Sequence, residues 1–133
     1  MDVLSFSTIA GNIKNEINRK CGLNLSQTRI LLYFDQNNNT ALKMGDLADN
    51  LKISLSTLSR QLQQKKTVSF ITVKRSEKDS SKIVLLNETG LQKIIQLKQV
   101  LNEIEEALLQ GLSKQEVATF NRIFSELLQR SEK

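Results

Sequence analysis

Six polar side chains suited to gripping or reading a polyanion fall within nine consecutive positions: Ser56, Thr57, Ser59, Arg60, Gln61 and Gln64. Short hydroxyls let a backbone approach a groove closely, and arginine and glutamine carry the two-pronged donor and acceptor sets that distinguish guanine and adenine edges. Four cations follow, Lys74, Arg75, Lys78 and Lys82, within and on either side of the polar run Ser76 to Ser81. Their chemistry is neutralisation of phosphate charge rather than bond making. The makings of catalysis are missing. The chain has no histidine and one cysteine, Cys21, and it offers no carboxylate pair, glycine-rich phosphate loop or nucleophile beside a base. Glu103, Glu105 and Glu106 read as the solvated side of a long helix. No enzyme, metal centre or cofactor is expected.

The charge distribution agrees with that chemistry. From Asn50 to Ile83 eight Lys/Arg stand against two acids, a local net of +6, whereas residues 1–49 carry five of each sign and residues 84–133 six basic against seven acidic groups. Nearly all of the chain's positive excess thus lies in one stretch, as expected of a module that docks on a polyanion, with DNA the leading candidate. A chain of 133 residues with no proline and five glycines, rich in Leu, Ile, Gln, Lys and Glu, predicts a single, mostly helical domain with a core of its own. The longest apolar run, Ile30 to Phe34, is far short of the ~20 residues of a membrane span. No basic-then-apolar leader opens the sequence, so no membrane association and a soluble cytoplasmic protein are expected.

The elements that must position these groups can be read from periodicity and caps. Phe6, Ile9, Ala10, Ile13 and Ile17 recur at helical spacing and predict a helix over about 3–20, ended by Cys21-Gly22. Ser26 is a candidate N-cap for a second helix to about Phe34, and Asp35 to Thr40 is a polar turn. Met44, Leu47, Ala48 and Leu51 mark a short helix. Lys52-Ile53 connects it tightly to Ser54, a cap for the next, and this pairing reads as a helix-turn-helix. Over 55–66, a rotation of 100° per residue places Leu55, Leu58 and Leu62 on one side and Ser56, Arg60 and Gln63 opposite. Phe70 to Arg75 and Lys82 to Leu86 are β-rich runs joined by a polar turn, a hairpin with a basic tip. Asn87 caps a long helix carrying Leu91, Ile94, Ile95, Leu97, Leu101, Ile104, Leu108 and Leu109, closed by Gly111. Ser113 and Glu116 form a capping box for a last helix, with Val117, Phe120, Ile123, Phe124, Leu127 and Leu128 inward.

This succession resembles the MarR family of winged helix-turn-helix transcriptional regulators. The resemblance rests on Leu25-Ser26-Gln27, on Leu47-Ala48, on Ser56-Thr57-Leu58-Ser59-Arg60, and on Arg75 with Asp79. It also rests on Val84 through Gly90, which is similar to the family's Leu-Thr-x-x-Gly with Asn87 for Thr, and on Gly111 to Glu116. The family fold is mainly α with a small β-hairpin wing: a winged helix-turn-helix lobe, here about 24–86, flanked by dimerisation helices, here about 1–21 and 88–131, within one domain over 1–133. Three departures matter, one of them Ser69 at the place of a family glycine after the recognition helix. Ser81 occupies the place of the wing arginine in the family's Asp-x-Arg, and Lys65 falls on the apolar stripe of the recognition helix.

The resemblance implies a homodimeric repressor on an inverted-repeat operator, with half-sites about 10 bp apart. Ser56, Thr57, Arg60 and Gln61 then reach the major groove, and Ser59 and Gln64 touch backbone or shape the helix. Lys74, Arg75, Lys78 and Lys82 contact phosphates or the wing's groove. It also implies release of DNA by a small aromatic or anionic effector, for which Phe6, Arg29, Tyr33 and Phe34 are candidate lining residues, although no ligand site is assigned. Arg19 and Lys20 would favour a thiolate at Cys21, an oxidation sensor in principle; an inert cysteine at a helix end is the simpler expectation. The alternative function is a winged-helix dimer with weak or lost DNA binding that acts as a protein-interaction module or antirepressor, encouraged by Ser81 and Lys65.

Overall fold

A computed structural model describes residues 1–79 and 81–132 of the chain. Ser80, in the predicted wing turn, and Lys133 lie outside the described residues. Two compact units make up the chain, residues 1–101 and residues from 102 onward.

In the first unit, α1 (Ser5–Cys21) ends at Gly22, whose φ of 69° is left-handed and whose N–H bonds the Asn18 carbonyl. Lys66 Nζ donates to the Gly22 carbonyl at 2.5 Å, placing a cation at the negative end of the helix. Helix α2 (Leu25–Gln36) begins two residues earlier than a Ser26 cap would allow. Asn24 is the cap: its Oδ1 accepts the Gln27 N–H at 2.8 Å, and the Gln27 side chain accepts the Asn24 N–H at 2.9 Å. Asparagine caps as well as serine does, and only Asn24 has a Gln three positions on to close the reciprocal pair. Ser26 instead donates its hydroxyl to Asn24 Oδ1. From this start α2 buries Ile30, Leu31 and Phe34.

The asparagine turn after α2 has a structural task. Asn38 and Asn39 take positive φ, which Asn tolerates better than most residues. The Asn39 side chain pairs in both directions with the Leu86 backbone, donating to its carbonyl at 3.1 Å and accepting its N–H at 2.8 Å. This pairing leads into β1 (Leu42–Lys43), a strand that periodicity did not predict because two residues leave no alternation to read. Helices α3 (Met44–Leu51) and α4 (Leu55–Gln63) follow, joined through Lys52 at φ 60° and capped by Ser54, whose Oγ accepts the Thr57 N–H.

Helix α4 ends three residues before the predicted Lys66. Gln64 is extended, and a separate turn, α5 (Lys65–Val68), takes over. Lys65 is therefore off the apolar stripe and exposed. The break follows from tertiary contacts: Thr67 is buried and accepts from Gln27 Nε2 at 3.4 Å, while Lys66 reaches Gly22. Neither contact is available to a straight continuation. Strands β2 (Ile71–Arg75) and β3 (Lys82–Leu86) form the hairpin in register Ile71↔Leu86 to Arg75↔Lys82, and the antiparallel sheet has the order β1-β3-β2.

Helix α6 (Glu88–Leu108) starts on Asn87, whose Oδ1 accepts the Gly90 N–H while its Nδ2 donates to the Ser69 and Ile71 carbonyls. Gly90 packs so tightly that a Cβ there would sit 2.3 Å from the Phe70 carbonyl oxygen. Gln96 donates to the Lys20 carbonyl and Lys98 pairs with Asp35, tying this part of α6 to α1 and α2. Of the apolar positions on α6, Ile94, Leu97 and Val100 are buried, whereas Leu91, Ile95 and Leu108 are exposed.

In the second unit, α7 (Lys114–Ser131) carries the expected capping box: Ser113 Oγ accepts the Glu116 N–H, and Glu116 accepts the Ser113 N–H. Within this unit the expected inward face is not covered: α7 buries no residue. Phe120, Ile123, Phe124, Leu127 and Leu128 are each 40–46 % exposed, with the Phe120 and Phe124 rings stacked 5.7 Å apart.

Candidate nucleic-acid interface

The rotation of α4 about its axis is set by two leucines. Leu58 is fully buried and Leu62 nearly so, which turns Ser56, Arg60 and Gln63 to solvent. Leu55, predicted on the same stripe, is 53 % exposed because it lies in the first turn, beyond the core. A hydroxyl chain opens the helix: Ser54 Oγ donates to Thr57 Oγ1 at 2.8 Å and lies 3.1 Å from Ser56 Oγ. Arg60 Nη2 reaches Thr57 Oγ1 at 3.4 Å, so the guanidinium lies along the outer face over these hydroxyls. Gln63 Nε2 donates to Ser59 Oγ at 3.4 Å.

The other predicted positions on α4 diverge. Ser59 faces the hairpin and lines a hollow of about 400 Å³ with Lys43, Leu55, Ser81 and Lys82. Gln61 lies on the opposite flank, in a hollow of about 330 Å³ with Leu25, Ser26, Arg29, Leu51 and Ile53. Gln64 accepts from Asn24 Nδ2 at 3.3 Å and is thereby drawn towards the start of α2. Ser56, Thr57 and Arg60 share the outer face, and Gln63, placed there by the rotation argument but not among the expected contacts, joins them.

On the hairpin, Lys74, Arg75, Lys78 and Lys82 are all exposed. Arg75 and Lys82 stand directly opposite each other, so both project from one face of the sheet. Like charges in that relation repel, an arrangement that an approaching anion relieves. Lys78 lies at the tip. Next to it, Asp79 accepts from Lys43 Nζ at 2.6 Å and from the hydroxyl and N–H of Ser81. The hydrogen bond from the Lys43 ammonium, followed by those from Ser81, holds the Asp79 carboxyl well below the usual carboxylate range. The same contact pushes the Lys43 ammonium up. Lys43 was not among the expected site residues: it is 36 positions from its partner, and no local pattern links them.

The remaining candidates separate clearly. Phe34 is fully buried, with Tyr33 edge-on to it at 6.0 Å, and so Phe34 cannot line an open ligand site. Phe6 is exposed and Arg29 borders the smaller hollow. Cys21 is buried at the end of α1. Among the described residues no group of three or more His, Cys, Asp or Glu could hold a metal ion, and no helix is long and apolar enough to cross a membrane.

No family model matches the sequence, and no curated protein matches it at a significant level. Solved structures do. The crystal structure of MarR is 19 % identical, with a TM-score of 0.79 over 98 % of this chain and 91 % of that one. An S. aureus MepR–DNA complex is 21 % identical, with a TM-score of 0.74 over 98 % and 96 %. The heme sensor protein PefR from Streptococcus agalactiae, in complex with heme and carbon monoxide, is 19 % identical, with a TM-score of 0.71 over 96 % and 89 %. The chain thus has the winged helix-turn-helix fold of the MarR-type regulators, mainly α with a small three-stranded antiparallel sheet.

Proposed function

We propose that the protein is a MarR-family transcriptional regulator, without enzymatic activity, that binds double-stranded DNA sequence-specifically as a homodimer in the cytoplasm. The observation that carries this reading is the outer face of α4. Ser56, Arg60 and Gln63 are held to solvent by the buried Leu58 and Leu62, with Thr57 half-buried among them, beside a hairpin bearing four exposed cations. In the same fold, MepR is found in complex with DNA. Arg60 and Gln63 read base edges in the major groove, with Ser56 and Thr57 allowing close approach. Gln61 and Ser59 flank the groove, Gln64 supports the helix end, and Lys74, Arg75, Lys78 and Lys82 meet phosphates.

The homodimer rests on a second observation. Five large apolar side chains of α7 lie open, and so, separately, do Phe6 and Ile9 of α1. Covering faces of this kind contributes on the order of 1 kcal/mol per half-exposed side chain, and a second copy supplies the same chemistry from its own helices. Repression of an inverted-repeat operator and release by a small aromatic or anionic effector complete the reading. The rival interaction module loses one of its two supports, because Lys65 lies exposed past the end of α4 rather than on its apolar stripe. Selection from random duplexes tests the proposal. Recovery of an inverted repeat with half-sites about 10 bp apart is expected; recovery of no enriched sequence would favour the interaction module.

A further inference from the structure

The tip of the hairpin is tied to the helix-turn-helix by a residue remote from it in sequence. Lys43 ends β1 and immediately precedes α3; its Nζ donates to Asp79 Oδ2 at 2.6 Å. The other carboxylate oxygen, Oδ1, accepts the Ser81 hydroxyl at 2.6 Å and the Ser81 N–H at 3.1 Å. Both oxygens of Asp79 are engaged, one by the start of the helix-turn-helix and one by the far side of the turn. A carboxylate in this place is electrostatically costly to the proposed partner. It lies between Lys78 and Lys82 in the most basic stretch of the chain, where a negative charge opposes phosphate. Its three donors point to a different task.

We infer that Lys43 and Asp79 are positioning residues for the nucleic-acid interface: their ion pair, completed by Ser81, holds the wing tip against the start of α3 so that Lys78 and Lys82 flank the groove read by α4. The inference rests on the DNA-binding reading above and deepens it. An isolated exposed ion pair contributes little, but this one closes a network of three donors on one carboxylate and joins two elements that must meet the same ligand. Holding the tip in place raises the fraction of molecules competent to bind, and the apparent Kd scales inversely with that fraction. The arrangement also gives Ser81 a role at the position where the resemblance leads one to expect arginine: it secures Asp79 rather than entering a groove.

The test compares Asp79→Ala and Lys43→Met with the wild-type chain, on a duplex that the wild type binds, at several salt concentrations. Charge alone predicts that Asp79→Ala tightens binding, since it removes a negative group facing phosphate. The positioning role predicts the opposite, a weakening of about three- to tenfold in each variant. It further predicts an unchanged salt slope and a double variant no weaker than either single one. A tighter Asp79→Ala complex would overturn the inference, as would a salt slope lowered by about one in Lys43→Met, which would make Lys43 a phosphate contact itself. A DNA-free readout separates this inference from the function it rests on. Trypsin cleavage after Lys78 in the unliganded protein should accelerate in both variants, and unchanged cleavage would overturn the tether whether or not the chain binds DNA.

Discussion

Helices α4 and α7 are built alike and used differently. Both are amphipathic and both begin on a serine that accepts the N–H three residues on. Helix α4 spends its leucines inside its own unit, with Leu58 and Leu62 buried, and shows solvent a face of hydroxyls, Arg60 and Gln63. Helix α7 buries nothing and shows solvent five large apolar side chains. An exposed polar face flanked by cations asks for a polyanion; an exposed apolar face asks for another apolar face. The contrast teaches that an apolar stripe in a sequence announces a buried surface without saying which molecule buries it.

If the contrast is right, the two helices fail in different ways. The largest effect should come from Phe124→Glu, which places a charge in the open face of α7. A dimer by light scattering should become a monomer, with DNA affinity falling by about two orders of magnitude as the second half-site goes unoccupied; a variant that stays dimeric would break the comparison. Arg60→Ala should leave the dimer intact and weaken binding to the selected site by about 1–3 kcal/mol per half-site, seen by anisotropy. Unchanged affinity would show that the outer face of α4 does not meet DNA. Replacing Lys78 and Lys82 by Gln together should weaken binding to all sequences alike and flatten the salt slope by about one for each phosphate left without its lysine. Smaller still, Ser54→Ala and Ser113→Ala should each cost about 1 kcal/mol in chemical unfolding. Only Ser54→Ala should also affect DNA affinity, because only its hydroxyl chain lies in the interface.

The wing tether should respond to pH only at the extremes. Asp79 has a depressed carboxyl value, so its contribution is complete above the unfolded carboxylate value near 3.9 and fades as pH falls through its folded value. Lys43 is shifted upward, so its contribution is complete below about 10.4 and fades as pH rises through the folded value. Tryptic cleavage of the wing, corrected for the protease's own profile, should therefore be flat between about pH 5 and 9.

Much of this was legible in the sequence, for local reasons. Caps at Ser54, Asn87 and Ser113 depend on residues three or four apart, and the outer face of α4 follows from rotation by 100° per residue. What escaped depends on distant partners. The break at Gln64 is enforced by Gln27 and Gly22, some 40 residues away, against a local preference to continue the helix. Strand β1 exists because β3 and Asn39 provide it with a partner edge. At the start of α2, Ser26 and Asn24 are both good caps, and Gln27 decides between them. The Lys43–Asp79 pair joins groups 36 positions apart, and the open face of α7 reads as inward because periodicity does not distinguish a chain's own core from an interface.

The central claim, that the face of α4 and the basic hairpin together read DNA, is tested most directly by titrating a labelled duplex from the selection with protein, with and without excess unrelated duplex. Saturation at two chains per duplex that survives the competitor is predicted, with Arg60→Ala weakening binding by about 1–3 kcal/mol per half-site. Binding that the competitor abolishes, or that Arg60→Ala leaves untouched, would contradict the claim.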